Sequence, residues 1–339
     1  MVSSLMMVIV YRRTLPEPSI KNGFTRNLLT DVLTVADSVA LADVEYYFAG
    51  WSGDSCLLAS ALRSDHLVSI IGSSVLRIEI TNPLASAMRY SQITVDSPYF
   101  YLADLMGYTI YRGMMNSWHI EANVHAENFF SEYLPVNGAL VLRGFNDDKD
   151  EYLLVREKMT SDHVVGAGLL QRQIDGLFCT DGMLRYDAQT ARIVYTYYYR
   201  NQFIVADTLL ELAYRANTID TTHFARIKVS TLSLNHVSTL SAPPLVVNRY
   251  VACDGGLLYV NSNLLADNES RDEFNASDAI DVYSLSDGSY EFSFYIPRIE
   301  GKRLRHFALH KNSLYVLHGR WLHRYMFARE RGKFIVESR

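Results

Sequence analysis

One pattern governs what this chain can fold into. A short apolar run, a polar turn and a second run ending near tyrosine follow one another again and again. The pattern is seen in Tyr99-Phe100-Tyr101-Leu102 with Ile110-Tyr111, and in Leu177-Phe178-Cys179 with Leu184-Arg185-Tyr186. It recurs in Leu258-Tyr259-Val260 with Val282-Tyr283, and in Leu314-Tyr315-Val316-Leu317 with Leu322-His323-Arg324-Tyr325. Weaker copies start at Tyr46-Tyr47-Phe48, Leu140 and Phe203-Ile204-Val205. Runs of four to eight apolar residues bounded by turns read as strands, and their repetition at roughly 40 residues is how stacked sheets are written in sequence. One such sheet cannot cover both of its faces, so the sheets must pack on one another and the ring must close.

The individual hairpins are clear. Ile280–Leu285 turns at Ser286-Asp287-Gly288-Ser289 and returns as Tyr290–Phe294. Asp-Gly supplies the positive φ angles of a tight hairpin. Met183–Tyr186 turns through Asp187–Arg192 and returns as Ile193–Tyr197, and Ala139–Leu142 joins Tyr152–Val155 across Asn146–Asp150. Helical periodicity is scarce. Only 127–134 offers two turns of helix, while 209–214 alternates with the strand period. The 23 Tyr and 15 Phe suit pleated surfaces.

These strand pairs resemble bacterial six-bladed β-propeller proteins of the TolB-like or NHL-like sort, over roughly residues 40–335. The resemblance implies an all-β ring of six four-stranded blades; seven fit nearly as well. It implies a binding or scaffold role at the bacterial cell envelope, with a ligand or partner held by loops at one end of the ring. There is no Gly-His…Trp-Asp pair, no kelch double glycine and no Tyr-Trp-Thr-Asp run, so no catalytic residue carries over.

The chain divides into residues 1–20 and a propeller domain, 21–339. Val2 to Tyr11 is mostly apolar, and Pro16 and Pro18 follow in an extended linker. Ten residues cannot span a bilayer as a helix. An ordinary strand, a truncated anchor and a weak signal-like segment all remain open, so localisation is read as periplasm or envelope with cytoplasm the alternative, and membrane association rests on this segment alone.

Formal net charge is −5, which argues against nucleic acid as a general partner. The last 39 residues hold ten Lys/Arg against two Asp/Glu, so the remainder carries −13. Apolar residues interleave with those charges, as in a packed segment and unlike a tail. Cys56, Cys179 and Cys253 are too few and too scattered for a zinc ribbon or a disulfide scaffold.

No spacing specifies a cofactor or a metal. There is no Gly-x-Ser-x-Gly elbow and no P-loop, and Gly166-Ala167-Gly168 lacks the third glycine of a dinucleotide fingerprint. His306 and His310 stand four apart, with His318 and His323 nearby; on a strand that separation is about 13 Å, too far for one ion. Asp147, Asp148, Asp150 and Glu151 read as a polar hairpin tip. The acids of 265–278 lie in a long insertion, a candidate partner or ligand loop.

The most distinctive stretch is Tyr195, Thr196, Tyr197, Tyr198, Tyr199, Arg200 and Asn201. Flat rings beside Arg and Asn suit a sugar or an extended peptide, though the same tyrosines could simply fill space between sheets. The expected partner is therefore an unidentified protein, peptide or carbohydrate. The alternative is a propeller enzyme of glycoside hydrolase or lyase type. Its carboxylates would converge from different blades, with Asp104, Asp175, Asp181 and Asp207 as candidates near strand ends.

Overall fold

The computed structural model describes residues 21–328, apart from 61, 82–87, 89, 126–128, 147–148, 159–162, 167 and 233–236. The apolar segment 2–11 and its proline linker, Asp147 and Asp148, and Ala167 therefore lie outside the described residues. Within them the chain forms six four-stranded antiparallel sheets. Five are simple meanders over 46–79, 91–125, 130–166, 182–217 and 248–297. The sixth takes His306–His310, Ser313–His318 and Trp321–Phe327 and is completed by Leu33–Ala40 from the other end of the chain. The register runs from Leu33 against Phe327 to Ala40 against Trp321. First strands of successive sheets touch one another all the way round, the sixth meeting the first. This is a six-bladed β-propeller.

Why these sequences make blades follows from the period of two. In Ala139–Asn146, Leu140 and Leu142 pack against the second blade, and Val141 packs against the fourth. Alternate side chains point to opposite faces, and here both faces are covered. Six of the seven buried clusters lie between neighbouring blades among the described residues. Between blades five and six, Tyr259, Val282, Phe292 and Phe294 meet Phe307, Val316 and Phe327. Each such side chain contributes about 1.5–3 kcal/mol by leaving water.

At two places where neighbouring blades meet, a positive φ and a crowded surrounding together call for glycine. Gly50 sits at a bulge in the first strand of blade one with φ +146°, where a Cβ would stand 2.6 Å from the Val95 carbonyl oxygen of blade two. Gly288 closes the hairpin of 277–297 at φ +79°, against Ala216 of blade four.

The three expected hairpins pair as read, with Leu142 opposite Val155, Tyr186 opposite Ile193, and Tyr283 opposite Tyr290. Two local readings are corrected. Residues 130–134 are not helical but part of the strand Phe130–Val136. Pro135 disfavours the helical basin for Leu134, and pairing with Ala139–Asn146 decides the rest. Leu177–Cys179 is a turn and not a strand: Asp175 Oδ1 accepts the amides of Leu177 at 2.7 Å and Phe178 at 2.5 Å. A side chain that binds its neighbours' amides offers them an alternative to a sheet ladder.

The insertion 265–278 is also accounted for locally. It contains one short helix, Arg271–Ala276, capped by Ser270. Asp267 accepts the amides of Asn22 and Gly23, and Glu269 pairs with Arg26. Asp267 and Glu269 thus fasten the chain's own residues 22–26 to blade five.

Candidate ligand-binding site

In a ring of antiparallel meanders, the first strand of every blade begins at the same end, and the second strand ends there too. Two cavities open at that end. The axial cavity, about 490 Å³, takes one or more residues from each of the six blades, among them Tyr47, Gln92, Glu132, Arg185, Tyr250 and His306.

Arg185 organises it. Its Nη1 donates to Glu132 Oε1 of blade three at 3.2 Å and to the Leu184 carbonyl at 2.7 Å. Its Nε donates to the Val251 carbonyl of blade five at 2.8 Å, and its guanidinium lies 4.9 Å from the Tyr250 ring centre. One side chain therefore ties three blades together. Glu132 also accepts the Leu184 amide at 3.0 Å. Burial raises the Glu132 pKa, and Arg185 and that amide only partly pull it back. His306 lies edge-on to Tyr250 at 4.9 Å. Burial, with Arg305 and Arg185 nearby, lowers its pKa to about 4, so the ring is neutral at pH 7. Its Nδ1 is buried with no hydrogen-bond partner among the described residues.

The side cavity, about 410 Å³, lies between blades four and five. It is lined by Asp181, Tyr198, Tyr199, Val246, Arg249 and Asn263. Tyr198 stands between the two cavities. Its phenol is held protonated chiefly by burial, and it feels Glu132 and Arg185 on one side and Asp181 on the other. Asp181 lies 3.5 Å from Arg143 and accepts the Gly182 amide at 3.1 Å; burial nonetheless raises its pKa.

Of the residues singled out in the sequence, Tyr198, Tyr199 and Asp181 are brought together here. The others are placed elsewhere. Tyr195 and Tyr197 are buried between blades three and four, where the Tyr195 hydroxyl donates to the Thr180 carbonyl at 2.7 Å. Arg200 is buried with its guanidinium 3.6 Å from the Tyr197 ring centre, and Asn201 is buried and donates to the Asp220 carbonyl. Asp104, Asp175 and Asp207 accept amides of their own turns, from Met106, Leu177 and Leu209 respectively. Glu132, Arg185, Arg249, Tyr250 and His306 were not anticipated. Glu132 was hidden by the helical reading of 127–134. The others begin or follow the starts of strands, which is the signal that finds them once the repeat is aligned.

The four histidines do not converge on one point. His310 stacks on Trp51 at 4.2 Å, His306 faces the axis, and His318 and His323 lie 5.5 Å apart in blade six. Among the described residues there is no cluster of three metal-ligating side chains.

No protein-family model matches the chain, and no curated protein matches it in sequence. Solved structures do. A member of the DUF4221 family from Bacteroides vulgatus superposes with a TM-score of 0.57 at 14% identity, covering 89% of this chain and 99% of that one. The virginiamycin B lyase of Staphylococcus aureus gives 0.49 at 9% identity, over 86% of this chain and 98% of that one. At such identities the likeness is one of fold.

Proposed function

We propose that this propeller is a non-catalytic binding protein that takes a carbohydrate at the mouth of its ring. The observation that carries the reading is the axial cavity itself, a mixed surface of rings and polar groups supplied by all six blades. Tyr47, Phe48 and Tyr250 offer apolar faces, and Gln92, Ser91 and Thr94 offer hydrogen bonds. A sugar has the same division, with C–H faces and hydroxyl edges. The charged groups are spent on one another: Glu132 on Arg185, and Glu45 on Arg305 at 3.9 Å.

The test is calorimetric titration of cellobiose, maltose and lactose, and of a random peptide pool, into the wild type and Gln92→Trp, which fills the cavity. Sugar binding that the filled variant loses at unchanged melting temperature supports the reading. Binding of peptides alone, or of nothing, overturns it.

A second reading, a sugar-cleaving enzyme, is favoured by Glu132 alone. A carboxyl group whose pKa is raised by burial is how a proton donor is made. Turnover of any of these sugars by wild type that Glu132→Gln abolishes would establish it. The same proposal places the ring at the bacterial cell envelope, on the strength of the apolar run 2–11. Fractionation of the native host tests this, and recovery wholly in the cytosol overturns it.

A further inference from the structure

The side cavity carries more information than its shape. Asp181 and Arg249 line it, and the groups around them bring the tally to five arginines and three carboxylates. Asp181 faces Arg143 at 3.5 Å. Asp278 lies 3.7 Å from Arg298 and accepts the Leu304 amide at 2.8 Å. Asp281 is taken by Arg26. That leaves Arg249 and Arg303. Arg249 is exposed on the cavity wall and makes no hydrogen bond or ion pair among the described residues. Arg303 is half-buried, and its Nη1 is fixed by Asn263 Oδ1 at 2.7 Å, an atom of another wall residue. Burial and the proximity of Arg249 and Arg298 weaken its hold on its proton. Two guanidinium groups held beside each other repel, and an anion between them removes that cost.

The lining also carries two aromatic rings. Tyr198 and Tyr199 meet at 6.1 Å with their rings inclined by 45°. Burial keeps both phenols protonated, so they are hydrogen-bond donors. Neither hydroxyl has a partner among the described residues. Asp181 adds a carboxyl group to the same lining.

We infer that the side cavity holds a sugar carrying a carboxylate, a uronic acid residue. The carboxylate lies between Arg249 and Arg303, the ring face rests on Tyr199, and a ring hydroxyl donates to Asp181. The inference rests on the reading of the mouth as a sugar site and adds the charge of the sugar. A phosphate dianion is a poorer fit, because Asp181 faces the same space.

The test uses a matched pair, cellobiouronate and cellobiose, with acetate as the plain anion, titrated by saturation-transfer NMR and calorimetry. The wild type should bind cellobiouronate about tenfold or more tightly than cellobiose, the scale of a charge-assisted hydrogen bond. Arg249→Ala should bring the acid down to the neutral sugar and leave the neutral sugar unchanged. Arg249→Lys should keep part of the preference. Raising salt from 0.05 to 0.5 M should erode it. Equal binding of both sugars overturns this inference and leaves the proposed function standing. Binding of neither overturns both. Acetate binding as tightly as cellobiouronate, or a peptide carboxyl terminus outcompeting it, overturns the sugar assignment.

Discussion

The ring is closed by a strand from the beginning of the chain, and one buried side chain fixes the approach to that strand. Arg26 is 4% exposed. Its Nε and Nη2 fork onto Asp281 at 2.7 and 3.2 Å, its Nη1 pairs with Glu269, and the same nitrogen donates to the Leu264 carbonyl at 3.1 Å. Residues 27–29 then run beside Tyr290–Pro297, with the Leu29 amide donating to the Ser293 carbonyl at 2.9 Å, and lead into Leu33–Ala40. Arg26→Met keeps most of the stem and removes the charge. Asp281 keeps the Ser293 hydroxyl, and Glu269 keeps the Ala266 amide, but both lose their cation. Stranding buried carboxylates in this way costs about 3–5 kcal/mol. With about 2.1 cal/mol/K of unfolding entropy for each of about 300 residues, that is a fall in Tm of about 5–8 °C. Differential scanning calorimetry reads it directly. Adding Glu269→Gln and Asp281→Asn to the variant should restore about half of the loss, because neutral amides tolerate burial without a cation. A melting temperature within 1 °C of wild type for Arg26→Met would refute the reasoning. So would a triple variant less stable than the single one.

Two further outcomes follow from the packing. Gly50→Ala should lose about 1–3 kcal/mol in urea unfolding, since its Cβ meets backbone of the next blade, whereas Gly53→Ala, with open space around it, should lose less. Burial lowers the pKa of His318, as of His306, to about 4, so between pH 6.5 and about 4 the unfolded chain binds protons that the folded one refuses. Stability contributed by these rings is complete above pH 6.5 and is lost as pH falls through that window. His318→Phe should flatten the acid limb of the stability curve by up to about 1.4 kcal/mol per pH unit; an unchanged slope would show that the ring is not desolvated.

The blades were legible because each strand obeys one local rule. Alternation with both faces apolar is visible in Ala139–Asn146 or Leu257–Ser262 without knowledge of neighbours. Where a residue had a second local option, the reading failed. Asp175 captures the amides around Leu177, and Phe129-Phe130 has helical spacing until strand pairing claims it. The repeat length was blurred for a physical reason as well. First strands begin at Tyr46, Ser91, Phe130, Gly182, Asn248 and His306, so the spacing runs from 39 to 66 residues. The longest interval carries the hairpin Val229–Leu232 with Val237–Leu240.

The mouth of the ring was nearly illegible, and the geometry explains why. Chemistry in a propeller is assembled from residues one blade apart, so Glu132 and Arg185 meet although 53 positions separate them. No spacing rule built on a helix or a loop detects such a pair. A contiguous aromatic run attracts notice instead, but contiguity works against it. In a strand, alternate residues must enter opposite interfaces, which is where Tyr195 and Tyr197 go. Only past the last ladder pair, Gly182 with Tyr197, does the chain turn over the end of the ring and free Tyr198 and Tyr199 for the cavity. The useful question for such a sequence is therefore which residues lie at or just before the start of the first strand of each blade. Asp181, Arg249 and Arg305 all satisfy it, and all three lie at the same end.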